Sequence, residues 1–257
     1  RVIRARYDAA QTTAENARHW AMADALSADS AASPDVRKKL RERARYEVAN
    51  NSYAKGIVLT LANDCVGTGP RLQLLTDDAA LNRDVETTFT EWANAINLAE
   101  KLRTLRMAKA TDGEAFAVLT ANPLIDSPVT LDLHLVEAER VASPLMSLLP
   151  GDSDVDGIQL DAWGCPRSYT ILRQHPGDGI AWKSQFDEVP AQAVIHWFRA
   201  DRPSQHRGIP ELTPALPLFA QLRRYSLAGG DCGGGDRSRL CGGAFYRCAG
   251  QRRSPAA

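Results

Sequence analysis

The spacing of the apolar residues changes once along this chain, and that change limits the fold more than any other feature. Up to about residue 110, large apolar groups recur every three or four positions, the period of a helix with one buried face. Tyr53, Ile57, Leu61 and Cys65 form one such series. Leu81, Val85, Phe89 and Trp92 form a second, and Leu98, Leu102 and Leu105 a third. From Phe116 onward the period drops to two. Leu131, Leu133 and Leu135 alternate with Asp132 and His134, as in a half-buried strand. Helices first and strands second, without interleaving, predict an α+β fold with antiparallel strands.

Local signals place the boundaries. Ser33 reads as an N-cap, with Pro34 at the first helical position, and the helix is expected to reach about Ala49. It carries RKKLRERAR, in which Arg37, Lys38, Lys39, Arg41, Arg43 and Arg45 are basic. A solvated helix face is one reading of that run; contact with DNA phosphates or with an acidic neighbouring subunit is the sharper one. Asn50 and Asn51 break the helix, and Ser52 can cap the next. Gly67 stops that one, and Thr68, Gly69 and Pro70 form a turn. Residues 157–160 and 167–173 read as a hairpin about Asp161 to Gly164. Val194–Phe198 reads as a strand that runs into a charged loop with Arg199, Asp201, Arg202, Gln205, His206 and Arg207. Gly208 and Pro210 punctuate its exit. Such a loop presents side chains to a partner. Residues 211–228 then read as the start of a helix, with Leu218, Leu222 and Tyr225 as its apolar side.

The exclusions are broad. Basic and acidic residues balance at 31 each, so a strongly basic nucleic-acid footprint is absent. No run of eighteen apolar residues predicts a membrane span, and the start at Arg1 lacks the apolar core of a signal peptide. Cys65 and Cys165 stand far apart and predict reduced, cytosolic thiols. Phosphate-loop, dinucleotide and nucleophile-elbow patterns are missing, and the five histidines show no metal-ligand spacing. Asp152, Asp154 and Asp156 alternate like a calcium loop, but Trp163 stands where the bidentate ligand is required, so a solvated acidic turn is the expectation. The chain is expected to be no enzyme and to need no cofactor or metal.

After Ala228 the composition breaks. Residues 229–257 hold eight of the eighteen glycines and only two large apolar groups, Leu240 and Phe245, outside Tyr246 and the cysteines. Such a segment predicts disorder. Cys232, Cys241 and Cys248 lack the paired spacing of a zinc site. Skipping one nucleotide after the Ala228 codon lets the same bases encode VGIAAAETAADFAAVLFTDAPANGEARP, given suitable third bases. That string continues the helix before it, so a frameshift near codon 229 is the expectation.

Three blocks carry a resemblance. Residues 45–72 read RYEVANNSYAKGIVLTLANDCVGTGPRL, residues 136–144 VEAERVASP, and residues 189–216 VPAQAVIHWFRADRPSQHRGIPELTPAL. Together they resemble the lambda-type family of phage portal proteins, with Gly67, Gly69, Pro70, Trp197, Pro203, Gly208 and Pro210 as its structural motif positions. The shifted tail peptide also resembles that family's next helix. The resemblance implies a helical part over 1–113, a β-rich part over 114–210, the start of a long helix over 211–228, and an aberrant tail. It implies a homo-oligomer, a dodecameric ring at the head vertex of the virion, assembled in the host bacterial cytoplasm. DNA is threaded through such a ring by the terminase large subunit, and capsid, head-completion and tail-joining proteins dock on it. As written, the chain is expected to lack a complete channel and to close no functional ring. The alternative is a DNA-binding or adaptor module using 37–45 and 199–207, with Arg199, Arg202 and Arg207 as contacts.

Overall fold

Pro34 opens one of the two longest of five helices among the described residues of the first half of the chain. The computed structural model describes residues 10–143, 154–178 and 185–231, with side chains up to Ser226. The helices are α1 (Ala28–Ala31), α2 (Pro34–Asn50), α3 (Ser52–Val66), α4 (Ala79–Ala95) and α5 (Leu98–Asp112). Asn51, not Ser52, caps α3: its side-chain oxygen accepts the Tyr53 N–H at 3.0 Å. Asp78 caps α4 by accepting the N–H groups of Ala80 and Leu81 at 2.9 and 3.1 Å. The strands are β1 (Glu114–Ala121), β2 (Leu131–Val136), β3 (Asp154–Val155), β4 (Ile158–Leu160), β5 (Pro166–Leu172), β6 (Phe186–Pro190) and β7 (Val194–Phe198). The fold is therefore mixed α+β, with helices first, as the change of period predicts.

Two antiparallel sheets form, in the orders β2-β1-β7 and β3-β4-β5-β6. In the first sheet Ala117 of β1 lies opposite Leu135 and Ile195. The two faces of β1 serve different cores, because successive side chains point opposite ways. Ala115 and Ala117 pack with Leu98, Leu105 and Leu133, and with Phe89 and Trp92, on the helix side. Phe116 packs with Val136 of its own sheet and with Ile158, Tyr169 and Ile171 of the second. The result is three layers: helices, a three-stranded sheet and a four-stranded sheet. Burying a side chain as fully as Phe116 stabilises the fold by about 1.5–3 kcal/mol. A third cluster joins Ala44, Ala54, Val58 and Ala110 to Leu212, Leu216 and Phe219.

Two of the expected helix faces are reversed. On α3 the buried residues are Ala54, Val58 and Ala62, whereas Tyr53 and Ile57 are exposed. The face that meets α2 and α5 is made of small residues, which let helix axes approach closely; the larger series is left outside. The last helix, α6 (Leu216–Asp231), starts after a short 3₁₀ turn at Thr213–Ala215 rather than at 211. It buries Leu216 and Phe219 and turns Leu218, Leu222 and Tyr225 outward. On α4, Phe89 and Trp92 meet the core as expected, but Leu81 is half exposed and nothing on that helix is fully buried. Residues 229–231 continue α6; the rest of the expected tail, with its three cysteines, lies outside the described residues. Among the described residues no helix is long and apolar enough to cross a membrane.

Candidate functional site

Two glycines bring the charged loop of 199–210 onto the helix layer. Gly113 ends α5 at φ +91°, a left-handed conformation that a side chain disfavours. A Cβ there would lie 2.3 Å from the carbonyl carbon of Ile209, and one on Gly208 would lie 2.2 Å from the Gly113 carbonyl oxygen. Backbone therefore rests directly on backbone, and the Glu211 N–H donates to the Ala110 carbonyl at 3.0 Å. The next residue, Glu114, is sealed from solvent. Its carboxylate accepts from Arg41 Nη2 at 2.7 Å, from Arg207 Nη2 and Nε at 2.7 and 2.9 Å, and from the Gly208 N–H at 3.0 Å. His196 Nε2 lies 3.1 Å away.

The network extends to both sheets. Arg207, fully buried, also donates to the Val141 carbonyl at 3.1 Å and to Asp156. Arg37 pairs with the same Asp156 and donates to the Ala32 carbonyl. Arg45 holds Asp112 with two bonds, at 2.7 and 3.0 Å, and Glu139 with a third at 2.8 Å. Four guanidinium groups thus meet four carboxylates. Balance of this kind is what burial demands, since an unpaired charge in a low-dielectric interior costs several kcal/mol, on the order of 3–5 when one partner is removed.

This placement corrects the expected contact surface. Arg37, Arg41 and Arg207 face inward and reach neither DNA nor a neighbouring subunit in this fold. Spacing explains α2: positions 37, 41 and 45 share one helix face, whereas Lys38, Lys39 and Arg43 lie on the exposed faces. Lys39 pairs with Glu42 at 2.7 Å. Arg199 pairs with Asp201 at 2.7 Å, and Arg202 donates to the Leu26 carbonyl at 2.9 Å; both are exposed. The acidic turn is corrected too. Asp156 is no solvated group but a partner of two arginines, and Asp154 accepts the Ser143 hydroxyl at 2.8 Å and the Gly157 N–H at 3.1 Å. Asp152 lies outside the described residues. The motif glycines Gly67 and Gly69 have φ of +55° and +99°, and with Pro70 they shape the turn between α3 and α4. Pro210 is buried, Pro203 exposed, and the half-exposed Trp197 ring sits 5.0 Å from the Lys109 ammonium.

Charge states follow from this packing. Burial would raise the Glu114 carboxyl, but Arg207, His196 and Arg41 outweigh it and hold the group well below the usual carboxylate range. Burial pushes the Asp112 carboxyl up and the His196 imidazole down. Burial and the nearby Arg207 lower Arg37 to about 10. A histidine with a depressed folded pKa stays neutral while the unfolded chain takes up its proton, so stability falls as pH drops below the unfolded value of about 6.5. Glu114 adds to this loss below about pH 4.5, where the unfolded carboxylate protonates first. Both effects act against acid. Urea midpoints measured between pH 7.5 and 5 are expected to fall for the parent chain and to fall less for His196→Gln; equal slopes would show that His196 carries no part of the effect.

The chemistry available here is mutual neutralisation. Every carboxylate of the network already accepts from a guanidinium, so none stands free as an acid or base for a substrate. Glu137, Glu139 and His175 offer ligand atoms within 4.8 Å of one another. His175 Nδ1, however, accepts the Gly177 N–H at 3.0 Å, which places the ring proton on Nε2, 3.2 Å from Glu137 but in no hydrogen bond with it, so that nitrogen has no lone pair for a metal. Cys65 and Cys165 are free thiols. Sequence reasoning missed Asp112, Glu114, Glu139 and Asp156. The four-residue spacing of Arg37, Arg41 and Arg45 was the available signal, because an inward cationic face requires acidic partners.

Comparison with known proteins gives two matches. The sequence model of the family described as "Phage portal protein, lambda family" matches residues 14–229. A protein named "Probable portal protein" from Halomonas phage phiHAP-1 is 26% identical over 187 residues, covering 66% of this chain and 36% of the relative. The match therefore spans about a third of that relative's length.

Proposed function

This chain belongs to the lambda family of phage portal proteins, and on that premise we propose that it is a structural subunit of a phage head vertex, not an enzyme. The observation that carries the reading is the reach of the family match, which takes in the helix layer, both sheets and most of α6. Self-association is the central activity proposed for this chain; in the intact family it closes a ring of twelve subunits. Double-stranded DNA passes through that ring during packaging and ejection. The terminase large subunit, the capsid and the head-completion and tail-joining proteins are the proposed partners, and the virion is the proposed location.

Two features support a mechanical role. The buried network saturates its own charges and fixes the loop of 199–210 as a rigid joint between strand and helix. Of the nine expected contact cations only Lys38, Lys39, Arg43, Arg199 and Arg202 are exposed, and the chain's net charge is zero, which suits a surface past which DNA slides rather than one that grips it. The adaptor reading has lost four of its nine cations, Arg37, Arg41, Arg45 and Arg207, to the internal network. Sedimentation of the purified chain at rising concentration tests the choice. Reversible self-association is expected. A strictly monomeric chain whose affinity for short duplexes falls with salt at a log–log slope steeper than about −5, equivalent to roughly six phosphates, would overturn the proposal.

A further inference from the structure

Residues 10–27 are exposed at every position except Asn16. The large apolar side chains of this arm find no seat on their own chain: Trp20 is 52% exposed, Met22 92% and Leu26 50%. Among the described residues, the arm is tied to the body at its C-terminal end. There the Leu26 carbonyl accepts from Arg202, and Asp29 accepts the His206 N–H at 3.0 Å. Arg18, two positions before Trp20, is in no ion pair among the described residues.

Another surface has the complementary deficit. Leu72, Val85, Phe89, Trp92, Val129 and Leu131 line an apolar groove of about 420 Å³ beside α4 and the start of β2. Leu72, Val129 and Leu131 are each more than a third exposed there. The carboxylate of Asp84 stands on the same wall and, like Arg18, is in no ion pair among the described residues. An apolar lining left partly open to water leaves room for apolar side chains from outside the groove.

We propose that this groove receives the 20–26 segment of a second copy of the chain, with Arg18 of one copy paired to Asp84 of the next. The apolar side chains of the arm supply the occupant, and the two unpaired charges set its register. The arm is held in turns, with the Trp20 N–H on the Asn16 carbonyl at 3.1 Å and the Ala23 N–H on the Trp20 carbonyl at 3.0 Å; opened out fully, the nine residues from Arg18 to Leu26 span about 30 Å from their anchor. Arm and groove are different surfaces, so the contact is head-to-tail and repeats from copy to copy. The proposal rests on the self-association reading above and names the surfaces that join.

Charge reversal tests it. Arg18→Asp, Asp84→Arg and Trp20→Ala are each expected to weaken self-association of the full chain about tenfold or more by sedimentation, with unchanged circular dichroism because all three sites are on the surface. An equimolar mixture of Arg18→Asp and Asp84→Arg chains is expected to recover the parent's association, since every contact between unlike copies then pairs opposite charges. Failure of the mixture to recover shows that Arg18 and Asp84 do not pair between copies and overturns the proposal. Association unaffected by all three substitutions overturns it too, while leaving self-association standing. A parent chain that stays monomeric at every concentration overturns both readings together.

Discussion

Replacing Glu114 by glutamine is expected to lower stability by about 3–5 kcal/mol, the largest effect of any single side-chain change at the buried network. The carboxylate is fully buried and accepts from two guanidinium groups, a backbone N–H and, through its second oxygen, the His196 ring region. Glutamine keeps the shape but turns an amide donor toward those donors. Arg41 and Arg207 then sit in a low-dielectric interior without their counter-charge. For a chain of this size each kcal/mol moves the melting midpoint by roughly 2–4 °C, so a fall of about 10 °C or more is expected by calorimetry. The pair can also be separated from its parts. Glu114→Leu combined with Arg207→Met is expected to cost less than the two single changes summed, by at least about 1 kcal/mol, because each single change strands the other's charge. Strict additivity in urea unfolding would sink the idea that these groups act as one network.

The second large effect concerns backbone. Gly113→Ala is expected to destabilise by about 2–5 kcal/mol. Left-handed backbone at a non-glycine residue contributes roughly 1–2 kcal/mol of that, and displacement of a packed neighbour roughly 1–3. The neighbour is the backbone of Ile209 and Pro210, which cannot rotate away as a side-chain tip can. Gly208→Ala, without the conformational strain, is expected to cost about 1–3 kcal/mol by the same contact. Gly56 provides the contrast. It lies inside α3 with nothing within 4 Å of its absent Cβ, so Gly56→Ala is expected to stabilise by about 0.5–1 kcal/mol. If denaturation midpoints rank these three changes in any other order, the close approach of the two glycines is not what holds the loop.

Much of the architecture was legible in the chain because period and capping are local properties. The order of helices and strands, the hairpin about Asp161 and the strand at Val194–Phe198 all follow from spacing and turn residues. What failed was the choice of which apolar face is buried. Tyr53 and Leu222 read as core because they are large, yet the helices around Ala54, Val58 and Ala110 meet through small residues. Size predicts burial poorly where helices pack closely. The charged site was half legible. Six basic residues in nine announce a special surface, but whether it faces out or in depends on partners distant in sequence. Asp156 lies 119 positions from Arg37, and Glu114 lies 93 from Arg207. No local pattern encodes such pairings; they appear only when the sheets fold over the helix layer.

Those separations set a timetable. A ribosome releases α2, with its inward arginines, long before it releases the residues that complete their surroundings. Glu114 meets Arg41 early but gains its second guanidinium only when Arg207 emerges, and the glycine contact that seals the site forms one residue later. Until then the emerging chain carries half-matched charges that favour water over burial. The described body is therefore closed only once residues 207 and 208 have emerged, by a latch just before α6, and a nascent chain that stalls shortly before that point remains open.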